Sequence, residues 1–473
     1  MPTMDNKGYD FGMIGLGVMG RNFILNVLDH GFSAAGLDLD AEKAAALKKE
    51  GEGKPVMSTT DTATFVKALA QPRKIMLLVP AGKAVDSVIE SLLPHLDNKD
   101  LIIDGGNSYF PDTDRRFEQL KAKGIRFMGM GVSGGAEGAR RGPSIMPGGA
   151  PEAYQLVAPI LEAVAAKAKG EPCVAHLGNG AAGHYVKMVH NGIEYGLMQL
   201  LAEAYDILKN AGKLDNPALH EAFKKWNEGA LESYLVEITS KIFAQPDDQG
   251  EGWLVDKILD KAKQKGTGKW TSQNAMDLGI PVPTIDAAVT MRGLSALKAE
   301  RTATAPRYSR SIESYPAVDQ GQLVSQVGEA LHFAFMITYA QGMHLLAEAS
   351  REYHFDLNLQ TVAKIWRGGC IIRAEILEDM RQAYQQEPEL NNLVRSPLFQ
   401  SSLLYGQRGA RSVIQTAAQF GIPTLALSST LNYFDAYRDE RLPLNLVQAQ
   451  RDFFGSHTYE RTDREGVFHT AWE

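Results

Sequence analysis

Up to about residue 180, short apolar runs alternate with stretches whose apolar residues recur every three or four positions. Residues 11–14, 34–37, 74–79, 100–104 and 125–128 read as strands. Residues 22–29 read as a helix, with Phe23, Ile24, Val27 and Leu28 on one face. This alternation predicts parallel βαβ units covered on both faces, an α/β Rossmann-like N-terminal domain. From His184 to about Tyr437 the apolar spacing is mostly three to four, with few strand-like runs, which predicts a large all-α domain. That region repeats itself. Leu200-Leu201-Ala202-Glu203-Ala204 recurs at Leu345-Leu346-Ala347-Glu348-Ala349, an offset of 345 − 200 = 145. Trp226 followed by Gly229 is echoed by Trp366 followed by Gly369, an offset of 366 − 226 = 140. Two ordered echoes indicate an internal duplication, with a shorter loop in the second copy. The C-terminal tail is polar after Arg451, yet carries Phe453, Phe454, Tyr459, Phe468 and Trp472. Disordered tails are poor in aromatics, so this one is expected to dock on its own domain or on a partner subunit.

Charge and composition narrow the function. Lys and Arg number 49 against 56 Asp and Glu, a net −7, which argues against a nucleic-acid binder with its basic face. No apolar run approaches the ~20 residues of a membrane span. The polar residues 1–7, and the interruptions by Gly and Asp10 after them, do not fit a signal peptide. Cys173 and Cys370 are too few for a disulfide framework and form no CxxC pair. A cytoplasmic chain with no nucleic-acid or membrane partner is expected. If its ligand is anionic, an acidic chain must gather positive charge locally.

Gly15-Leu16-Gly17-Val18-Met19-Gly20 matches G-x-G-x-x-G, with a strand before it and a helix after it. Such glycines allow a tight turn and let backbone N–H groups approach a pyrophosphate at the helix N-terminus. Asp38, 38 − 20 = 18 residues after the last glycine, ends the next strand. A carboxylate there accepts hydrogen bonds from both ribose hydroxyls of NAD and repels the 2′-phosphate of NADP. The alternative is that Asp38, by itself or alongside Asp40, only caps the following helix. Gly266-Thr267-Gly268-Lys269 fails as a phosphate-binding P-loop, because Lys263 stands where the leading glycine belongs and Trp270 where Ser or Thr belongs. It reads as a flexible basic loop suited to a simple phosphate contact.

Residues 184–210 form the strongest helical stretch, and Lys187, His190, Asn191 and Glu194 fall at i, i+3, i+4 and i+7 on one face. A solvated stripe is the plain alternative. At the 145 offset, however, Lys187 corresponds to His332, Asn191 to Met336, Gly192 to Ile337 and Glu194 to Tyr339. The second copy keeps the apolar frame and loses the polar set, so the set serves a task of the first copy alone. A lysine with a depressed pKa is a base, and a buried Glu is a proton donor. Together beside a nicotinamide they suit oxidation of an alcohol followed by protonation of a carbon. No HExxH or ligand-spaced cluster calls for a metal. Asp104-Gly105-Gly106-Asn107-Ser108 and Gly131-Val132-Ser133-Gly134-Gly135 each follow a strand, where ligand crevices of open sheets form.

Taken together, GLGVMGRN at 15–22, DGGNS at 104–108, GVSGGAEGAR at 131–140, VKMVHNGIEYG at 186–196, KGTGKWT at 265–271 and RDFFGSHTYE at 451–460 resemble the 6-phosphogluconate dehydrogenase family, the decarboxylating enzymes of the pentose phosphate pathway. The resemblance spans essentially the whole chain. It implies a dinucleotide-binding domain at 1–182, a duplicated helical domain at 183–440 for dimerisation and substrate, and a tail at 441–473 that completes the partner's site in a homodimer. It implies that Lys187 takes the 3-hydroxyl proton as hydride passes to the cofactor, then returns it to the carbonyl oxygen as CO2 leaves. Glu194 then protonates C1 of the enediol to give ribulose 5-phosphate. The sugar acid is expected at Asn107, Ser133, Gly134, Gly135, His190 and Asn191. The phosphate is expected at Tyr195, Lys265, Thr267 and Arg292, with Arg451 and His457 from the other subunit. The cofactor is expected at Gly15 to Gly20, Asp38, Val79, Pro80, Ala81 and Asn107. Family members that use NADP carry Asn-Arg-Thr after the second strand; Asp38-Leu39-Asp40 here makes NAD the expected cofactor and NADP the alternative. The rival functions are a β-hydroxyacid dehydrogenase acting on a small unphosphorylated acid, and a non-catalytic sugar-phosphate sensor.

Overall fold

The computed structural model describes residues 8–308 and 317–472. The polar residues 1–7, on which the signal-peptide expectation partly rests, lie outside them. The chain divides into two compact units, Met1–Thr430 and Leu431–Glu473.

The first unit opens with a seven-stranded sheet: β1 (Phe11–Ile14), β2 (Ala34–Leu37), β3 (Val56–Thr59), β4 (Lys74–Leu77), β5 (Leu101–Asp104), β6 (Arg126–Ser133) and β7 (Ser144–Pro147). Their spatial order is β3-β2-β1-β4-β5-β6-β7, parallel throughout except that β7 runs antiparallel to β6. Alternate residues feed two cores. Met13, Met76 and Ile103 pack with Phe23 on one face, while Ile14, Leu77 and Ile102 pack with Phe65 on the other. With both faces covered, the inner strands are apolar except at their ends, as at Lys74 and Asp104, which is why they stand out in the sequence. β3 and β7 do not stand out: β3 is half-buried Val-Met-Ser-Thr, and β7 ends in proline. The order reverses between β1 and β4, and in open α/β sheets ligands bind beyond the strand ends at such a point.

Two long helices dominate the rest of this unit, Ala182–Asn210 and Gln320–Glu352. They cross at small residues: a Cβ on Gly342 would lie 2.5 Å from the Ile193 side chain, and one on Gly196 would lie 2.7 Å from Thr338. The sequence echoes occupy equivalent places. Leu200–Ala204 and Leu345–Ala349 lie toward the ends of the two long helices, while Trp226 closes helix Asn216–Trp226 and Trp366 closes helix Leu359–Trp366. The copies have diverged at their shared glutamate. Glu348 is partly exposed and pairs with Arg351. Glu203 is buried, and its carboxylate accepts N–H bonds from Ala426 (2.9 Å) and Leu427 (2.8 Å) at the start of helix Leu425–Tyr437. Burial pushes its pKa up to about 7 against these donors. Among the described residues no helix is long and apolar enough to cross a membrane.

The second unit contains helix Leu444–Gly455 and a hairpin of strands Tyr459–Glu460 and Val467–Phe468. Its organiser is Asp452, fully buried, whose carboxylate accepts the backbone N–H groups of Thr458 and Thr470, the Trp472 indole N–H and His469 Nδ1 at 2.9–3.1 Å. The tail is therefore folded. It nevertheless leaves Phe454 73% and Val467 68% exposed.

Candidate active site

The glycine loop joins β1 to helix α1 (Val18–Asp29), which starts four residues earlier than the apolar period indicates because the turn itself is built of glycine. Each glycine has a separate reason. Gly15 has φ +93°, and a Cβ there would lie 2.5 Å from Leu78 O. A Cβ on Gly20 would lie 1.9 Å from Gly15 O, so only glycine lets α1 pack this closely on the turn. Gly17, the N-cap, has nothing within 4 Å of where a Cβ would be and leaves the helix N-terminus open. The first N–H groups of α1 receive no side-chain cap there. This cradle fits a pyrophosphate.

Asp38 stands beside the loop and is tied to it. Its Oδ2 accepts the Leu16 N–H at 2.7 Å and its Oδ1 accepts the Asp40 N–H at 3.0 Å. The N-cap of the next helix, α2 (Ala41–Glu50), is Asp40, which accepts the Glu42 N–H. Asp38 is therefore not the cap, and with one bond accepted at each oxygen it keeps lone pairs free for further donors. Val79 is half-buried after β4, Pro80 and Ala81 are exposed, and Asn107 is exposed after β5. The Asn107 loop is braced from below: Asp104 accepts the Gly106 N–H (3.1 Å) and the Ser108 hydroxyl (2.6 Å), with buried Arg116 3.4 Å away.

The polar face of helix Ala182–Asn210 meets the end of β6. Gly131 allows that approach, since a Cβ there would lie 2.4 Å from Lys187 Cβ. Lys187 and His190 are buried. Ser133 Oγ lies 3.2 Å from His190 Nε2, His190 Nδ1 lies 3.0 Å from Asn191 Oδ1, and Asn191 Nδ2 donates to Thr267 Oγ1 at 3.0 Å. Burial, followed by the charge of Lys187, holds the His190 pKa well below its ordinary value, so the ring is neutral. The network then assigns its tautomer: Nδ1–H donates to Asn191 and Nε2 accepts from Ser133. Glu194 Oε2 lies 3.8 Å from His190 Nδ1.

Lys187 and Glu194 are displaced toward each other. Burial lowers the pKa of Lys187, opposed by the Glu194 charge. Burial raises the pKa of Glu194, opposed by Lys187 and Arg292. Desolvation disfavours both charged forms, which makes the lysine available as a base and the carboxyl available as an acid.

One turn on, Tyr195 carries the Arg292 guanidinium over its ring, 3.7 Å from the centroid. Gly268 lies against the same ring, where a Cβ would come within 2.5 Å. The Gly266–Lys269 stretch expected as a flexible loop is instead a helix start. Gly266 takes φ +104°, and helix Thr267–Asp277 begins at once, with Thr271 Oγ1 donating to Met188 O. That packing also explains Gly192, whose Cβ would lie 2.7 Å from Thr271. A helix N-terminus, Arg292 and the exposed Lys265 are donors of the kind a phosphate takes. Ser133, Lys187, His190, Asn191, Glu194, Tyr195, Thr267 and Arg292 thus come together. Gly134 and Gly135 follow Ser133 with positive φ, and a Cβ on Gly134 would lie 2.4 Å from Gly369 O. Arg451 and His457 belong to the second unit, both exposed, on and just after helix Leu444–Gly455.

Three participants were not singled out for the site from sequence. Trp366 sets its ring edge-on to His190 at 5.6 Å, and the Gly369 carbonyl abuts Gly134. In the sequence both stand out only as marks of the repeat. Lys43, on the first turn of α2, places Nζ 3.4 Å from Asp40 Oδ2 and 4.0 Å from Asp38 Oδ1, a contact no sequence pattern announced.

Residues 10–178 match the family profile described as the NAD binding domain of 6-phosphogluconate dehydrogenase, and residues 183–472 match the 6-phosphogluconate dehydrogenase C-terminal domain. The chain is 50% identical over 461 residues to the NADP(+)-dependent, decarboxylating 6-phosphogluconate dehydrogenase of Bacillus subtilis, covering 98% of each chain. It is 49% identical over 462 residues to the decarboxylating enzyme of Escherichia coli, again covering 98% of each. Among solved structures, Plasmodium falciparum 6-phosphogluconate dehydrogenase superposes with a TM-score of 0.95 at 44% identity, over 98% of this chain and 100% of that one. The chain is a member of the 6-phosphogluconate dehydrogenase family.

Proposed function

We propose that this chain oxidatively decarboxylates 6-phosphogluconate to ribulose 5-phosphate and CO2 with reduction of NAD(P). The observation that carries the reading is buried Lys187 on one helix face with partly buried Glu194, the two pKa values displaced in opposite directions, beside the Ser133 loop and the Tyr195–Arg292 corner. A bound nicotinamide supplies the hydride acceptor. Neutral Lys187 takes the proton of the substrate 3-hydroxyl as the C3 hydride leaves, giving the 3-keto acid. The bond to the carboxylate then breaks, its electrons pass into an enediol, and the Lys187 ammonium returns its proton to the carbonyl oxygen. Glu194 gives its proton to C1 of the enediol while Lys187 takes the enediol hydroxyl proton back, which leaves the ketone and returns the pair's single proton for the next turnover. Ser133, His190 and Asn191, locked in one hydrogen-bond chain, orient the sugar acid, and Thr267, Lys265 and Arg292 take the phosphate.

NAD is the preferred cofactor in this reading, because Asp38 fills the corner with a fixed carboxylate and Leu39, 90% exposed, stands where NADP-using relatives carry arginine. The expected result is a higher kcat/KM with NAD than with NADP, and the reverse order contradicts it. The name of the Bacillus subtilis relative, which is NADP-dependent, makes this comparison informative.

The assembly proposed is a homodimer in which each tail supplies Arg451 and His457 to its partner, supported by the apolar surface that the folded tail leaves exposed. Subunit mixing tests it. Lys187→Ala and Arg451→Ala proteins, each impaired alone, are expected to recover about a quarter of wild-type activity after random exchange, because half the dimers are mixed and each holds one intact site. No recovery after verified exchange contradicts tail sharing. The free buried thiols Cys173 and Cys370 fit a cytoplasmic location, which cell fractionation checks.

A further inference from the structure

Resting on the NAD reading, one feature of the adenosine corner goes beyond it. Among the described residues, Lys43 is the cation that ion-pairs with the Asp38–Asp40 strand end, 3.4 Å from Asp40 Oδ2 and 4.0 Å from Asp38 Oδ1. Helical side chains lean toward the helix N-terminus, so its position in the first turn of α2 aims its stem back at the strand end. The nearby Arg21 of α1 is engaged with Glu50 at 3.1 Å. The two carboxylates have different duties. Asp38 is fixed at both oxygens by the Leu16 and Asp40 N–H groups and keeps 14% of its side-chain surface exposed. Asp40 caps α2 with Oδ1, which leaves Oδ2 to face Lys43. Backbone donation from Glu42, and then Lys43 itself, keeps the Asp40 carboxyl below the ordinary range, so it is ionised when the enzyme works.

We propose that Lys43 is a masked 2′-phosphate ligand, and that Asp40, acting through Lys43 without touching the cofactor, is a specificity-determining residue that withholds it. Two carboxylates against one ammonium leave the corner net negative, which suits a ribose 2′-hydroxyl and repels a phosphate of charge near −2. Without the Asp40 carboxylate, Lys43 is balanced by Asp38 alone and can turn its ammonium to a 2′-phosphate. NADP use in this chain is therefore latent, requiring no imported arginine.

Asp40→Ser tests this while keeping a good N-cap for α2, and Asp40→Asn preserves both cap and shape. In either variant the ratio of kcat/KM for NADP to that for NAD is expected to rise about tenfold over wild type, and the Kd for NADP measured by calorimetry without substrate is expected to fall about tenfold relative to that for NAD, the worth of one charge-assisted phosphate contact. The rise is expected to vanish when Lys43→Met is added. A ratio that stays within about twofold of wild type in both folded single variants overturns the proposal, since tenfold is the expected worth of the contact. So does a rise that persists without Lys43, because the gain then comes from removing repulsion alone. The underlying NAD reading is judged separately: it fails if wild type prefers NADP, whereas Lys43 is judged by the change in ratio relative to that same wild type.

Discussion

Lys187→Ala is expected to lower kcat by about 10³-fold, the usual scale for losing a positioned acid–base group, with KM for substrate and cofactor changed little. The expectation follows from where the side chain sits. Lys187 is only 6% exposed, packed at Cβ against the gap left by Gly131, and burial disfavours its ammonium. In the proposed mechanism a neutral amine at that point accepts the hydroxyl proton in the first step and delivers it in the second, so one substitution removes both transfers. The same proposal assigns binding to other groups, the Ser133–His190–Asn191–Thr267 chain and Arg292, which the substitution leaves in place. Single-turnover measurement of cofactor reduction, beside steady-state kinetics, checks it. Hydride transfer at a near-wild-type rate in the mutant removes Lys187 as the base.

Glu194→Gln is expected to cut kcat by about 10²-fold and to change the pH profile more than KM. Lys187 and Glu194 titrate as a coupled pair, and the form that works holds one proton between them, on the carboxyl with the amine free. Wild-type activity is therefore bell-shaped: the acid limb reports protonation of both groups, and the alkaline limb reports loss of the last proton. Glutamine removes that last proton's site, so the alkaline limb disappears. The acid limb, protonation of Lys187 beside a carboxyl that is already neutral, is expected to remain, because glutamine is neutral like the protonated glutamate. A profile that keeps both limbs in the folded variant assigns the acid to another group.

What the chain discloses of this site divides by physical origin. The glycine turn, Asp38 and the polar face of the long helix are local patterns, with reasons that lie within a few residues of each other. The turn needs positive φ at Gly15 and empty space at Gly17, and the face follows from 3.6 residues per turn. The comparison of repeats then separated Lys187, Asn191 and Glu194 from ordinary surface polarity, because the second copy keeps the scaffold without them. Three features were hidden because tertiary contact decides them. The Gly266–Lys269 segment reads as a loop from its glycines, yet Gly266 in the left-handed region starts a helix that Thr271 fastens to Met188. Trp366 and Gly369 lie far from His190 and Gly134 in sequence and meet them only through the packed duplication. β3 went unseen because an edge strand that is half-buried has no continuous apolar run to show.

The opening charge question has a local answer. An excess of acidic residues over the whole chain coexists with the Lys265, Arg292 and helix N-terminus that the proposal assigns to the phosphate. The adenosine corner holds the opposite arrangement, two carboxylates around one lysine. Field at a site is set by such neighbours, while net charge governs solubility and steering.

The most direct test of the central claim is product stoichiometry with 6-phosphogluconate and either nicotinamide cofactor. Reduced cofactor, CO2 and ribulose 5-phosphate are expected in equal amounts. Cofactor reduction without CO2, or no reaction with either NAD or NADP, contradicts it.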